Sequence, residues 1–132
     1  MSHTVLNPTA LHDPTGFGYS HVARTEEFVF VAGQYASDSE GGVASADFAE
    51  QVERSFANLE TALEAAGVGP GDVVQLRTYA VGLDLDRLGV LTARIARTWG
   101  DRPPTQTLLG VAGLALPGML FEVDAVAVRA RS

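Results

Sequence analysis

The chain has 132 residues, 46% of them apolar and 19% charged, with 16 acidic against 9 basic residues and a net charge of −7. A domain of that length buries about two-thirds of the surface its unfolded form exposes, so this composition describes a folding chain rather than a disordered one. The acidic balance and the lack of any basic run argue against electrostatic capture of phosphate backbones, and nucleic acid is not an expected partner. There is no cysteine, which removes disulfides and thiol chemistry and suits a cytoplasmic setting. No basic stretch leads into a long apolar run at the N-terminus and no segment reaches 18 uninterrupted apolar residues, so neither export nor a membrane partner is expected.

In chain order, residues 3–7 read as a short strand and 8–18, punctuated by Pro and Gly, as a loop. Residues 19–24 and 28–34 read as two strands of a hairpin, the second apolar on both faces and hence central. Residues 38–42 have the composition of a turn. From about Ser45 an amphipathic helix places Phe48, Val52, Phe56, Leu59 and Leu63 at spacings of three or four and stops at Gly67. Residues 72–81 read as a strand with Val74, Leu76, Thr78 and Ala80 on one face and Gln75, Arg77 and Tyr79 on the other.

A second helix over 86–99 puts Leu88, Leu91, Ile95 and Trp99 on one stripe and Arg87, Arg94 and Arg97 elsewhere on its surface. Strands follow at 105–111 and 120–129, the last alternating Phe121, Val123, Ala125 and Ala127 against Glu122, Asp124, Val126 and Val128. The order β-β-β-α-β-α-β-β describes a single α+β domain over 1–132, a mixed sheet with two helices on one face. The uncovered face mixes aliphatic with ionisable side chains, which suits a subunit interface, so an oligomer is expected.

Glu122 and Asp124 lie on the same side of a strand with apolar neighbours, where a carboxylate needs a partner or an elevated pKa. For Asp124 the favoured reading is an ion pair with a basic residue such as Arg77. For Glu122 the pattern leaves a general acid/base and a paired structural carboxylate equally open. His3, His12 and His21 lack metal-ligand spacing, and no metal site is expected. Ser20 and His21 point to opposite faces if the segment is a strand and lack a nucleophile elbow, so they make no catalytic triad. The glycines of 67–71 follow a helix instead of preceding one, which fits helix termination and not phosphate binding.

The ordered set Gly18-Tyr19-Ser20, Val29-Phe30-Val31-Ala32-Gly33-Gln34, Gln51, Asn58-Leu59, Ala65-Ala66-Gly67, Asp72-Val73-Val74, Pro104 and Glu122-Val123-Asp124-Ala125-Val126-Ala127 resembles the Rid (YjgF-like) family through nearly the whole chain. The resemblance implies a chorismate mutase-like fold and a homotrimer with small-molecule clefts between subunits, Tyr19 being supplied across a subunit boundary. It also implies an enamine/imine deaminase that hydrolyses a reactive imine to a carbonyl and ammonia without metal or cofactor. On that resemblance Glu122 manages the water, Tyr19 is the cleft tyrosine, and Gly33 with Gln34 forms the cleft floor.

Three positions depart from the deaminating pattern. Gln106 stands where an arginine grips the substrate carboxylate, Thr92 where asparagine is common, and Ala32 where serine is frequent. Losing a charge-assisted clamp worth about 1.5–3 kcal/mol per bond would weaken binding of an anionic imino acid about ten- to a thousandfold, unless Arg77 or Arg102 replaces it. Two functions stand open: a deaminase with altered specificity, and a non-catalytic trimer binding a small metabolite in the same clefts. A third, ribonuclease, is disfavoured by the acidic chain and the lack of a histidine pair.

Overall fold

The computed structural model describes residues 2–129. Six strands, β1 (Thr4–Leu6), β2 (Val22–Arg24), β3 (Phe28–Gln34), β4 (Val73–Val81), β5 (Thr105–Val111) and β6 (Phe121–Val128), and two helices, α1 (Phe48–Ala65) and α2 (Leu85–Trp99), follow the expected order. They form one sheet in the order β1-β2-β3-β6-β4-β5. Only β4 and β5 run parallel, joined through α2 as a parallel pair requires; the other neighbours are antiparallel.

The last strand of the sequence is central, pairing with β3 on one side and β4 on the other. Its core face, Phe121, Val123, Ala125 and Ala127, is buried beneath α1. All five apolar residues expected on one face of α1 are buried, and Phe56 stacks on Phe121 with ring centroids 5.9 Å apart. The helix starts at Phe48, later than expected, because Asp47 caps it by accepting the Glu50 N–H at 2.9 Å. It ends where Gly67 turns to φ 81° and the Val68 N–H reaches back to the Leu63 carbonyl.

Three local expectations are corrected. β2 begins at Val22 and not at residue 19, because the Asn7 side chain takes the His21 N–H at 2.8 Å and Pro8 ends the neighbouring strand. In β4 a register shift between Val73 and Gln75 turns Val74 outward, 44% exposed, and gives its core position to Val73. On α2, Arg94 is not a surface residue. It is 8% exposed, lies 5.0 Å over the Phe56 ring and pairs with Glu53 at 3.0 Å and Glu60 at 3.5 Å, tying α2 to α1.

The helix-free face carries Phe28, Phe30 and Val128, each more than a third exposed, beside Arg77, Tyr79 and Asp124. Loops at the β3–β6 end are fastened from α1. Gln51, fully buried, donates to the Ser45 and Gly118 carbonyls at 2.8 and 2.9 Å and accepts the Leu120 N–H at 2.8 Å. Asn58 donates to the Tyr35 carbonyl at 2.9 Å. Gln51→Leu would leave one backbone donor and two acceptors without this partner. It is expected to destabilise the fold by about 2–4 kcal/mol in denaturant unfolding, whereas a surface substitution such as Arg54→Ala stays within about 0.5 kcal/mol.

Candidate functional site

The bulge at the end of β3 creates the site. Register between β3 and β6 shifts between Val31 and Gln34, so Gly33 lies beside Glu122 without being its ladder partner. A Cβ on Gly33 would sit 2.1 Å from Glu122 Oε1, so only glycine leaves room for the carboxyl where it stands. Above this floor opens a cavity of about 460 Å³. Phe17 and Tyr19, from the segment between β1 and β2, form one wall with Tyr35; Ala115, Leu116 and Met119, ahead of β6, form the other. The second wall is the loop that Gln51 holds through Gly118 and Leu120.

The two carboxylates of β6 have separate fates. Asp124 accepts from Arg77 Nε and from the Tyr79 hydroxyl, both at 2.9 Å, which is the pairing expected from the sequence. Glu122 makes no hydrogen bond or ion pair among the described residues and reaches into the apolar cavity. Burial, followed by the charge of Asp124, raises its pKa above the ordinary carboxylate value. Tyr19 is pushed up to about 12 by burial, with Tyr35 and Glu122 adding in the same direction, so its phenol stays protonated at neutral pH. Its hydroxyl is 2.7 Å from His12 Nε2.

Of the residues singled out in the sequence, Tyr19, Ala32, Gly33 and Glu122 line this one cavity. Tyr19 and Glu122 meet within a single chain, so no neighbouring subunit is needed to supply Tyr19. Gln34 is 1% exposed and lies beneath the floor, its amide donating to the Ala32 carbonyl and to His21 Nδ1, both at 3.1 Å. Thr92 and Gln106 do not line the cavity. Thr92 is exposed on α2 and donates to the Gly89 carbonyl; Gln106, on edge strand β5, accepts from the Thr78 hydroxyl at 2.8 Å.

Neither replacement anchor arrives. Arg77 is spent on Asp124, and Arg102 borders a different surface hollow beside Trp99 and Pro103. Among the described residues no Arg or His lines the cavity, and Glu122 is the one acidic side chain in its lining. Sequence reading missed Phe17, Tyr35, Leu116 and Met119, which sit in loops without periodicity. The only available signal was the apolar content of residues 111–120, unusual for a connection between strands. It also set aside His12 and His21, which are 3% and 0% exposed behind the cavity. Among the described residues no group of three or more His, Asp or Glu is placed to hold a metal ion, and no helix is long and apolar enough to cross a membrane.

The sequence profile of the Endoribonuclease L-PSP family matches residues 11–129. A RutC family protein of Pyrococcus abyssi is 30% identical over 112 residues, covering 84% of this chain and 86% of its own. The 2-iminobutanoate/2-iminopropanoate deaminase of Salmonella typhimurium is 26% identical over 133 residues, covering 98% and 99%. The solved structure of the protein YjgH superimposes over the whole of both chains with a TM-score of 0.87 at 25% identity. A match that runs from the loop carrying Tyr19 to the end of β6, with the same fold around it, makes the chain a member of the Endoribonuclease L-PSP family, the Rid (YjgF-like) family.

Proposed function

We propose that this protein is a Rid-type imine or enamine hydrolase whose substrate carries little or no negative charge. The observation that supports this reading most directly is Glu122, a carboxyl with an elevated pKa in an apolar cavity that no cation lines among the described residues. A carboxylate there attracts a protonated imine and repels a substrate carboxylate. As base, it takes a proton from water while the oxygen adds to the C=N carbon, giving a carbinolamine. The protonated Glu122 delivers that proton to nitrogen, then removes the carbinolamine O–H proton as the C–N bond breaks. Carbonyl product and ammonia leave, and the proton left on Glu122 goes to ammonia. The deaminase activity named for the Salmonella relative agrees with this chemistry, and the lack of a cation among the described lining residues supports a substrate other than 2-imino acids.

The exposed Phe28, Phe30 and Val128 on the helix-free face support a subunit interface, which we read as that of a homotrimer. The apolar lining also favours a second reading, a trimer that binds a small neutral metabolite without turnover. Ribonuclease activity has less support, since the described lining of the cavity offers RNA phosphate no cation to hold it.

Ammonia release should be timed for phenylmethanimine, generated from benzylamine by a flavin amine oxidase, and for 2-imino acids generated by an amino-acid oxidase. The uncharged imine is expected to be accelerated more, with Glu122→Gln losing about 100-fold or more in kcat. No acceleration of either, with ligand-induced thermal stabilisation, establishes the binding-only reading. Because Glu122 must be ionised to act as base, kcat/KM is expected to fall as pH drops through its raised pKa. Asp124→Asn removes a neighbouring negative charge and should move that acid limb to lower pH, leaving the larger effect of burial in place. Light scattering at micromolar concentration is expected to give three times the 13.9 kDa chain mass; a monomer mass would overturn the trimer.

A further inference from the structure

Behind the cavity sits a side chain that the hydrolytic reading does not use. His12 is 3% exposed, with Nε2 2.7 Å from the Tyr19 hydroxyl and no hydrogen-bond partner for Nδ1 among the described residues. Its ring meets His21 edge-on at 4.8 Å and borders Phe17 and Tyr35. The hydrogen-bond partners of His21 fix its state. His21 Nε2 lies 2.8 Å from the His12 backbone carbonyl, which only accepts, so that nitrogen carries a hydrogen. His21 Nδ1 is met by the Gln34 amide nitrogen, whose other bond goes to the Ala32 carbonyl, so Nδ1 is the acceptor and His21 is neutral.

His12 is then left with two neutral tautomers. Burial and His21 hold its pKa below the usual value against the opposing pull of Asp38 and Asp13, and so keep it uncharged at neutral pH. With hydrogen on Nδ1, a buried N–H has no acceptor, and the Tyr19 hydrogen is consumed by His12 Nε2. With hydrogen on Nε2, only a lone pair goes unmatched, and the Tyr19 oxygen accepts. Orphaned buried donors are the rarer of the two defects in folded proteins. The second tautomer frees the Tyr19 O–H to point at whatever fills the cavity.

We propose that His12 is a positioning residue that donates from Nε2 to the Tyr19 hydroxyl oxygen and so makes Tyr19 a fixed hydrogen-bond donor to the ligand. The occupant this selects has an apolar body, held by Phe17, Leu116 and Met119, and one uncharged acceptor atom, such as the oxygen of a carbonyl or carbinolamine. That assignment of the ligand rests on the cavity being the substrate site; the tautomer of His12 does not.

In protein labelled with ¹⁵N-histidine, long-range proton–nitrogen spectra at pH 7 separate a protonated from a bare ring nitrogen, with the His12 signals identified by their loss in His12→Gln. A protonated Nε2 and a bare Nδ1 are expected, and the reverse pattern overturns the proposal whatever the catalytic outcome. Function is read on phenylmethanimine. His12→Phe, which removes the donor, and Tyr19→Phe are each expected to lower kcat/KM about tenfold, as for the loss of one hydrogen bond. The double variant should be no worse than either alone, and His12→Gln, which keeps an N–H at comparable reach, should recover most of the loss. Multiplicative losses, or a glutamine variant as poor as phenylalanine, would overturn the role. If His12→Phe does not fold, Tyr19→Phe, His12→Gln and the tautomer measurement decide.

Discussion

β6 is the constraint on which the rest of the molecule depends. A strand paired on both edges, with one face under a helix, tolerates no slip in register, because moving by one residue would exchange Phe121, Val123, Ala125 and Ala127 for Glu122, Asp124, Val126 and Val128 in the core. Burying two carboxylates beneath α1 is far costlier than any local rearrangement. The aliphatic half of the strand therefore fixes where its acidic half must emerge. Asp124 emerges beside Arg77 and Tyr79 and is satisfied; Glu122 emerges one pleat further along, where the neighbouring strand bulges away.

What the bulge makes available is space. At Gly33 the missing side chain leaves a slot that the Glu122 carboxyl fills, and the loops around it close a small apolar chamber. Those loops are held by two polar side chains of α1. Gln51 and Asn58 reach past the helix end of the sheet to backbone groups that have no strand partner. Their interest is structural, yet they decide where Tyr35 and Met119 stand, and so the shape of the cavity.

Membership of the family does not by itself decide what this cavity takes. The chain shares the family's fold, but within one chain the residues that the resemblance would have grip an anionic substrate lie elsewhere. Gln106 is bonded to Thr78, Thr92 faces outward from α2, and Arg77 is committed to Asp124. An acidic residue in an apolar chamber, with no cation among the described lining residues, is what supports the proposal of neutral or cationic ligands, since charge acts strongly in a poorly screened site.

The sequence by itself determined the elements and their order, because the repeat of apolar residues in α1, α2 and β6 is a property of local geometry: 3.6 residues per turn, or alternation along a strand. It also determined that Glu122 and Asp124 share a face and that Arg77 suits Asp124. Only the tertiary structure decided which carboxylate would be left unpaired, since that depends on a bulge in a strand almost ninety residues away. It alone turned Val74 outward, buried Arg94, and brought His12 to Tyr19, for these follow from register shifts and from loops that carry no periodicity. The chemistry-bearing residues were legible one at a time; their grouping, with the apolar walls from residues 111–120, came from long-range packing that no local pattern encodes.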